Sequence, residues 1–253
     1  MTVVVKQYGE RRTGTNTIRG LIHANYPDVL LLMYILGDKH AVPVDFATMR
    51  REAADAFAFV HRATYAARGP ASHDGDREQH REIGRRAERV AAAYDAAALR
   101  FVVTVKDPYA WVASLAKFEQ WSHGDAPLAS WDFERLEAAC RGYNEKYAAW
   151  VKLERAHFVK AEELIEDQER VVRALGDFFG ANQPSRGGPT TISDVVEPTH
   201  WDHLPLNRAP VPFDASYYRE KRYLSLLPAE HRKRVTRTID WSLFARFGYQ
   251  QES

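Results

Sequence analysis

The stretch from Val3 to Ile22 constrains the rest of the chain more than any other. It opens with the β-branched run Val3-Val4-Val5, as a buried parallel strand does. A turn follows that carries Gly9, Arg11, Arg12 and Gly14. Thr15, Asn16 and Thr17 then begin a segment in which Ile18, Leu21 and Ile22 recur at helical spacing. Strand, glycine turn and helix N-terminus in succession make an anion site. Free backbone N–H groups project from the first helical turn, and the helix dipole places roughly half a positive charge there. Arg11 and Arg12 add full charges and forked donors suited to phosphate or sulfate.

The phosphate loop of nucleotide triphosphatases ends in Gly-Lys-Ser/Thr. Here Gly14 is followed by Thr-Asn-Thr, and the basic residue, Arg12, precedes the glycine. Arg12-Thr13-Gly14-Thr15 resembles instead the 5′-phosphosulfate loop of sulfotransferases that use 3′-phosphoadenosine 5′-phosphosulfate (PAPS). Their loop has a basic residue, a small residue and then Gly-Thr. The resemblance implies an α/β fold related to the P-loop enzymes: a single domain over residues 1–253, with a central, mostly parallel sheet flanked by helices. It also implies that Arg11, Arg12, Thr13, Gly14, Thr15, Asn16 and Thr17 bind the 5′ end of the donor.

At 253 residues, 45% apolar and 27% charged, the chain is long enough to bury one substantial core. A net charge of +1 gives no general reason to expect nucleic acid as a partner, so anion binding has to be local. The single cysteine, Cys140, excludes an internal disulfide, suits a reducing cytoplasm and lacks partners at metal-ligand spacing. No secretory signal is visible, and the longest apolar run, Val29 to Leu36, is far too short for a membrane span. These features lead to the expectation of a cytoplasmic protein.

Tyr26-Pro27-Asp28 stops the first helix, and Val29 to Leu36 reads as a second buried strand that closes a βαβ unit. Gly37-Asp38-Lys39-His40 follows where that strand runs out. Ligands of open parallel sheets bind beyond the carboxyl ends of strands, so this tetrapeptide is expected to face the crevice of Arg12. Residues 45–68 and 77–99 read as helices with a polar loop between them, and the interleaved acids of the second helix make it a solvated face.

Phe101 to Val105 is the third strand. It runs into Lys106-Asp107-Pro108, with Asp107 as N-cap and Pro108 in the first helical turn. Ser114 lies eight residues after Lys106. The same sulfotransferases carry their 3′-phosphate site on a strand ending in Arg, a turn, and a helix with Ser eight residues after the Arg. The resemblance therefore implies that Lys106 and Ser114 bind the 3′-phosphate. It departs in having lysine, which keeps the charge and loses the bidentate fork. A loop at 121–130, a helix near 133–151, a fourth strand from His157 and a helix to Phe178 or Phe179 complete the sheet region. Glu162 is assigned a structural role. Residues 180–212 are rich in Gly, Pro, Ser and Thr, and many of these enzymes close a late Arg- and Gly-containing loop over the 3′-phosphate, which implicates Arg186. Residues 217–249 read as short amphipathic helices.

Sulfuryl transfer is an in-line displacement that needs a held donor, cations on the leaving phosphate and an acceptor for one proton. Lys39 is the expected second cation beside Arg12. His40 is the candidate general base, because imidazole titrates near neutral pH and relatives use His or Glu near the donor sulfur. His40 rises above His23, His61, His73 and His123 by its place at a strand end, while His200 and His203 remain rivals. The reading requires no metal. It expects adenosine 3′,5′-bisphosphate as product and a small-molecule or glycan acceptor bearing a hydroxyl or amine. Two other classes stay open: a nucleotide-dependent kinase, which would need the missing Gly-Lys-Ser/Thr and an acidic magnesium ligand, and a non-catalytic nucleotide-binding module in which His40 is dispensable.

Overall fold

A computed structural model describes residues 3–32, 36–43, 89–123, 128–180, 188–191 and 214–252. The expected helix at 45–68, the first part (77–88) of the expected helix at 77–99, the loop between them, and Arg186, His200 and His203 lie outside the described residues.

Strand β1 (Val4–Gly9) is buried along its whole length and leads through a turn into helix α1 (Thr15–Asn25). Strand β2 (Leu30–Leu32) follows, then helical residues 89–95 and strand β3 (Leu99–Val105). Helix α2 (Pro108–His123) and helix α3 (Phe133–Trp150) come before strand β4 (Ala156–Lys160). Helices α4 (Ala161–Glu166) and α5 (Gln168–Phe179) complete this half. The C-terminal part holds α6 (Ala215–Arg219), α7 (Ala229–Thr238) and α8 (Trp241–Phe244). The four strands lie in the order β2-β1-β3-β4, and every pairing is parallel.

Alternation along the strands divides the core into two layers, because successive side chains of a strand point to opposite faces. Val5 of β1 and Val102 of β3 face α1 and α5, packing with Ile18, Leu21, Val172 and Leu175. Val4, Tyr8, Phe101 and Val103 face α2, α3 and the C-terminal helices, where Trp111, Tyr143, Tyr147 and Phe244 form an aromatic stack. Cys140 belongs to this second layer as a buried core residue.

Two elements differ from the sequence reading. Leu30, the first residue of β2, is 47% exposed where the whole run reads as buried, because β2 lies at the edge of the described sheet and only its far end is covered. The third strand starts at Leu99, two residues early, since Ala97 turns the chain with φ 55 immediately after the helix. Asp107 caps α2 as its sequence context suggests: one carboxylate oxygen accepts the backbone N–H groups of Tyr109 (2.9 Å) and Ala110 (3.1 Å). Glu162 is structural, accepting Asp107 N–H (3.1 Å) and the Tyr249 hydroxyl (2.7 Å).

Candidate active site

The carboxyl ends of β1 and β3 lie side by side, so the turns that follow them meet. Gly9 is the hinge of the first turn. A Cβ there would stand 2.0 Å from the Thr104 hydroxyl and 2.9 Å from a Thr15 methyl, so only glycine lets the two strands and α1 approach so closely. Thr13 hydrogen-bonds across to Thr104 (2.8 Å) and donates to the Glu10 carbonyl (2.6 Å), which fixes the curve of the loop. Arg12 has φ 67, a left-handed conformation that costs a non-glycine residue roughly 1–2 kcal/mol. The second turn holds it there. Trp111 Nε1 donates to the Arg11 carbonyl (3.1 Å) and Lys106 Nζ to the Arg12 carbonyl (3.4 Å).

Gly14 is the N-cap of α1, in the left-handed region at φ 85, and no side chain caps the helix. The first turn of α1 holds no acid either. Its N-terminus therefore keeps the partial positive charge of the helix dipole. Around it stand Arg11 and Arg12, both exposed, with the Arg12 guanidinium 5.0 Å from the Phe118 ring. Thr15 and Thr17 are buried, and Asn16 accepts a 2.7 Å hydrogen bond from Lys39 Nζ. Burial, and then the nearby Arg19, push the Lys39 ammonium below its ordinary pKa, with Asp38 opposing.

Lys39 and His40 sit in a turn over residues 36–41. The turn is tied to β1 at four points. Lys6, fully buried in β1, donates from Nζ to the Gly37 carbonyl (2.6 Å), and burial lowers its pKa to about 7. The Tyr8 hydroxyl donates to the Leu36 carbonyl (2.5 Å), and Gly9 N–H donates to the Lys39 carbonyl (2.9 Å). His40 Nδ1 lies 2.6 Å from the Gly9 carbonyl. A carbonyl can only accept, so Nδ1 carries the hydrogen and the neutral ring keeps its lone pair at Nε2. Burial lowers the His40 pKa foremost, Gly9 opposes this, and Lys39 adds to the lowering.

His40 lines a cleft of about 430 Å³ together with Glu10, Arg11, Trp111, Glu119 and Lys146. Glu10 forms a short ion pair with Lys146 of α3 and accepts Arg11 N–H (2.7 Å), so the turn is also anchored to the opposite wall. On the other side Lys106, 3% exposed, donates to the Tyr218 hydroxyl (3.0 Å). Ser114 is half-buried on α2, two turns after Lys106. The structure thus brings Arg11, Arg12, residues 13–17, Lys39, His40 and Lys106 to the carboxyl end of the sheet. Glu10, Lys146, Trp111 and Tyr218 were not singled out by sequence. Lys146 and Tyr218 meet their partners across 136 and 112 residues, and no local pattern encodes such a contact.

Among the described residues no group of three His, Cys, Asp or Glu side chains is placed to hold a metal ion. Among the same residues no helix is long and apolar enough to cross a membrane.

No family model matches the sequence, and no curated protein matches it. Solved structures do resemble it. The sulfotransferase domain of the Synechococcus PCC 7002 olefin synthase aligns with a TM-score of 0.51 at 14% identity, covering 99% of this chain and 95% of that one. The sulfotransferase domain of the curacin biosynthetic pathway aligns at 0.42 and 12%, covering 99% and 98%. The parallel β2-β1-β3-β4 sheet with helices on both faces is accordingly the fold of the olefin synthase sulfotransferase domain.

Proposed function

We propose that this chain is a sulfotransferase that moves a sulfuryl group from PAPS to a hydroxyl or amine of an acceptor seated in the His40 cleft. The observation that carries the reading is the His40–Gly9 contact. It presents an unprotonated Nε2 beside the turn that also offers an uncapped helix N-terminus. The residues fit a donor with anionic groups at both ends. The uncapped start of α1, with Arg11, Arg12 and Lys39, suits the 5′-phosphosulfate; Lys106 and Ser114 suit the 3′-phosphate.

Bound PAPS would supply an electrophilic sulfur whose bond to the bridging phosphate oxygen breaks as the acceptor bonds to it. His40 Nε2 takes the acceptor proton. The Gly9 carbonyl holds the ring in the needed tautomer and then stabilises the imidazolium through Nδ1–H. Arg12, Lys39 and the α1 N–H groups stabilise the negative charge that gathers on the leaving phosphate oxygen. The mixed walls of the cleft, Trp111 and Leu115 against Glu10, Glu119 and Lys146, suit an acceptor with an apolar ring or chain and polar substituents, a small molecule or a glycan.

The test is calorimetric titration with adenosine 3′,5′-bisphosphate against ATP plus magnesium, followed by transfer from labelled donor to a panel of hydroxyl and amine acceptors. The bisphosphate binds more tightly if the reading holds; preference for ATP turns it to a kinase. His40→Ala keeps bisphosphate affinity and loses roughly 10²- to 10⁴-fold in turnover. Undiminished turnover removes His40 as the base. Because the His40 pKa is lowered, the wild-type rate stays on its plateau as pH falls past the ordinary histidine value near 6.5 and drops only below it.

A further inference from the structure

Lys106 stands where an arginine would offer two parallel donors to one phosphate, and an ammonium is a point charge without that fork. The structure places a second donor against it. Lys106 Nζ lies 3.0 Å from the Tyr218 hydroxyl oxygen and 4.9 Å from the centre of the same ring. Lys106 itself is rigidly set. Its N–H donates to the Tyr143 hydroxyl (3.3 Å), which donates back to the Lys106 carbonyl (2.8 Å), and Tyr143 is fully buried. Tyr218 is half-buried. It sits on α6, whose start is capped by Asp214 accepting Tyr217 N–H (3.1 Å), and its ring packs within 5.1 Å of Tyr217 and 6.3 Å of Tyr223.

The direction of the Lys106–Tyr218 hydrogen bond decides what the pair can do. An ammonium only donates, so the phenol oxygen accepts and its own hydrogen is left to point elsewhere. Two of the three ammonium hydrogens go to the Arg12 carbonyl and Tyr218, and no further acceptor is placed against the third among the described residues. The charge beside the phenol also polarises its O–H and strengthens it as a donor. Two donor atoms 3.0 Å apart, one charged and one polarised, can address two oxygens of one phosphate.

We infer that Tyr218 is a specificity-determining residue: with Lys106 it forms a composite two-donor site that restores the two-point recognition of a terminal phosphomonoester which lysine alone lacks. The inference rests on the proposed function in taking that phosphate to be the 3′-phosphate of the donor nucleotide. Ser114, two turns further along α2, would then be a supporting contact rather than the partner that makes recognition two-pronged.

Calorimetry with two probes, adenosine 3′,5′-bisphosphate and adenosine 5′-monophosphate, separates the possibilities. Wild type binds the bisphosphate more tightly. Tyr218→Phe, which keeps the ring and removes one hydrogen-bonding oxygen, weakens bisphosphate binding roughly 10-fold or more and leaves the monophosphate unchanged. In a Lys106→Arg background the fork is supplied by one side chain, so adding Tyr218→Phe costs less than about 3-fold. Equal losses for both probes, or no loss for either, overturn the inference while leaving the donor assignment intact. A wild type that does not distinguish the two probes overturns the donor assignment itself. A thermal melt of each variant confirms that the comparison is between folded proteins.

Discussion

The two strand-to-helix turns that meet at the carboxyl end of the sheet share a place in the fold and differ in what they leave open. After β1 the chain turns on Gly9 and enters α1 at Gly14, with no side-chain cap and no acid in the first turn. After β3 it turns on Asp107, whose carboxylate already satisfies two N–H groups of α2. The first helix keeps its dipole and donors for an outside anion; the second has consumed its own. What the second turn contributes is a side chain, Lys106, together with the Trp111 indole that steadies the carbonyls of the first turn. Position at the carboxyl end of a parallel strand therefore does not by itself make an anion site. The cap decides.

Asn16→Asp breaks this contrast most sharply, because it gives the first turn of α1 the acid it lacks with almost no change in volume. Two readouts should move in opposite directions. The new carboxylate complements the helix dipole and faces Lys39, which adds roughly 0.3–1 kcal/mol to the helix. The same charge opposes a bound phosphate, so affinity for adenosine 3′,5′-bisphosphate falls roughly 10-fold or more by calorimetry. Unchanged affinity would mean that the first turn is not where the anion sits.

The difference between the turns was half legible in the sequence. Gly9, Gly14 and the helical spacing of Ile18, Leu21 and Ile22 announce a strand, a tight turn and a helix, and Asp107-Pro108 announces a capped start. Those signals are local, and local chemistry sets them. The placement of β2 at the sheet edge was not legible, so Val29 to Leu36 read as a fully buried strand when Leu30 is half exposed. Nor could the pattern show that His40 stands in a turn clamped to β1 by Lys6, Tyr8 and Gly9, since those bonds span about thirty residues. Tyr218 against Lys106 and Lys146 against Glu10 depend on how distant helices pack on the sheet, and side-chain type alone carries no record of that.

The capped turn also responds to pH. Burial, partly opposed by the Ala110 N–H, raises the Asp107 carboxyl to about 6. A group whose folded pKa lies above its unfolded value holds its proton in the native state after the unfolded chain has lost it. Its contribution to stability is complete below about 4 and is lost as pH rises through about 6, with a slope of at most ~1.4 kcal/mol per pH unit. Urea melts of wild type and Asp107→Asn between pH 4 and 7 should converge on a difference that grows over this interval and levels off above it. A difference independent of pH would show that the Asp107 carboxyl titrates as a solvent-exposed acid does.

The smallest effect isolates the cap from its charge. Asn and Asp serve equally at an N-cap, and Ala cannot accept at all. Asp107→Asn and Asp107→Ala both remove the buried charge, and both keep the Asp107 backbone N–H that donates to Glu162. The gap between the two variants at pH 7 therefore measures the cap to Tyr109 and Ala110 apart from its charge. It should be about 1 kcal/mol, or roughly 2–4 °C in Tm for a chain of this size. The first turn has no counterpart to this experiment, because Gly14 offers α1 no side chain to remove. If the Asn and Ala variants melt together, the N–H groups of α2 are not satisfied by residue 107, and the two turns are more alike than their geometry indicates.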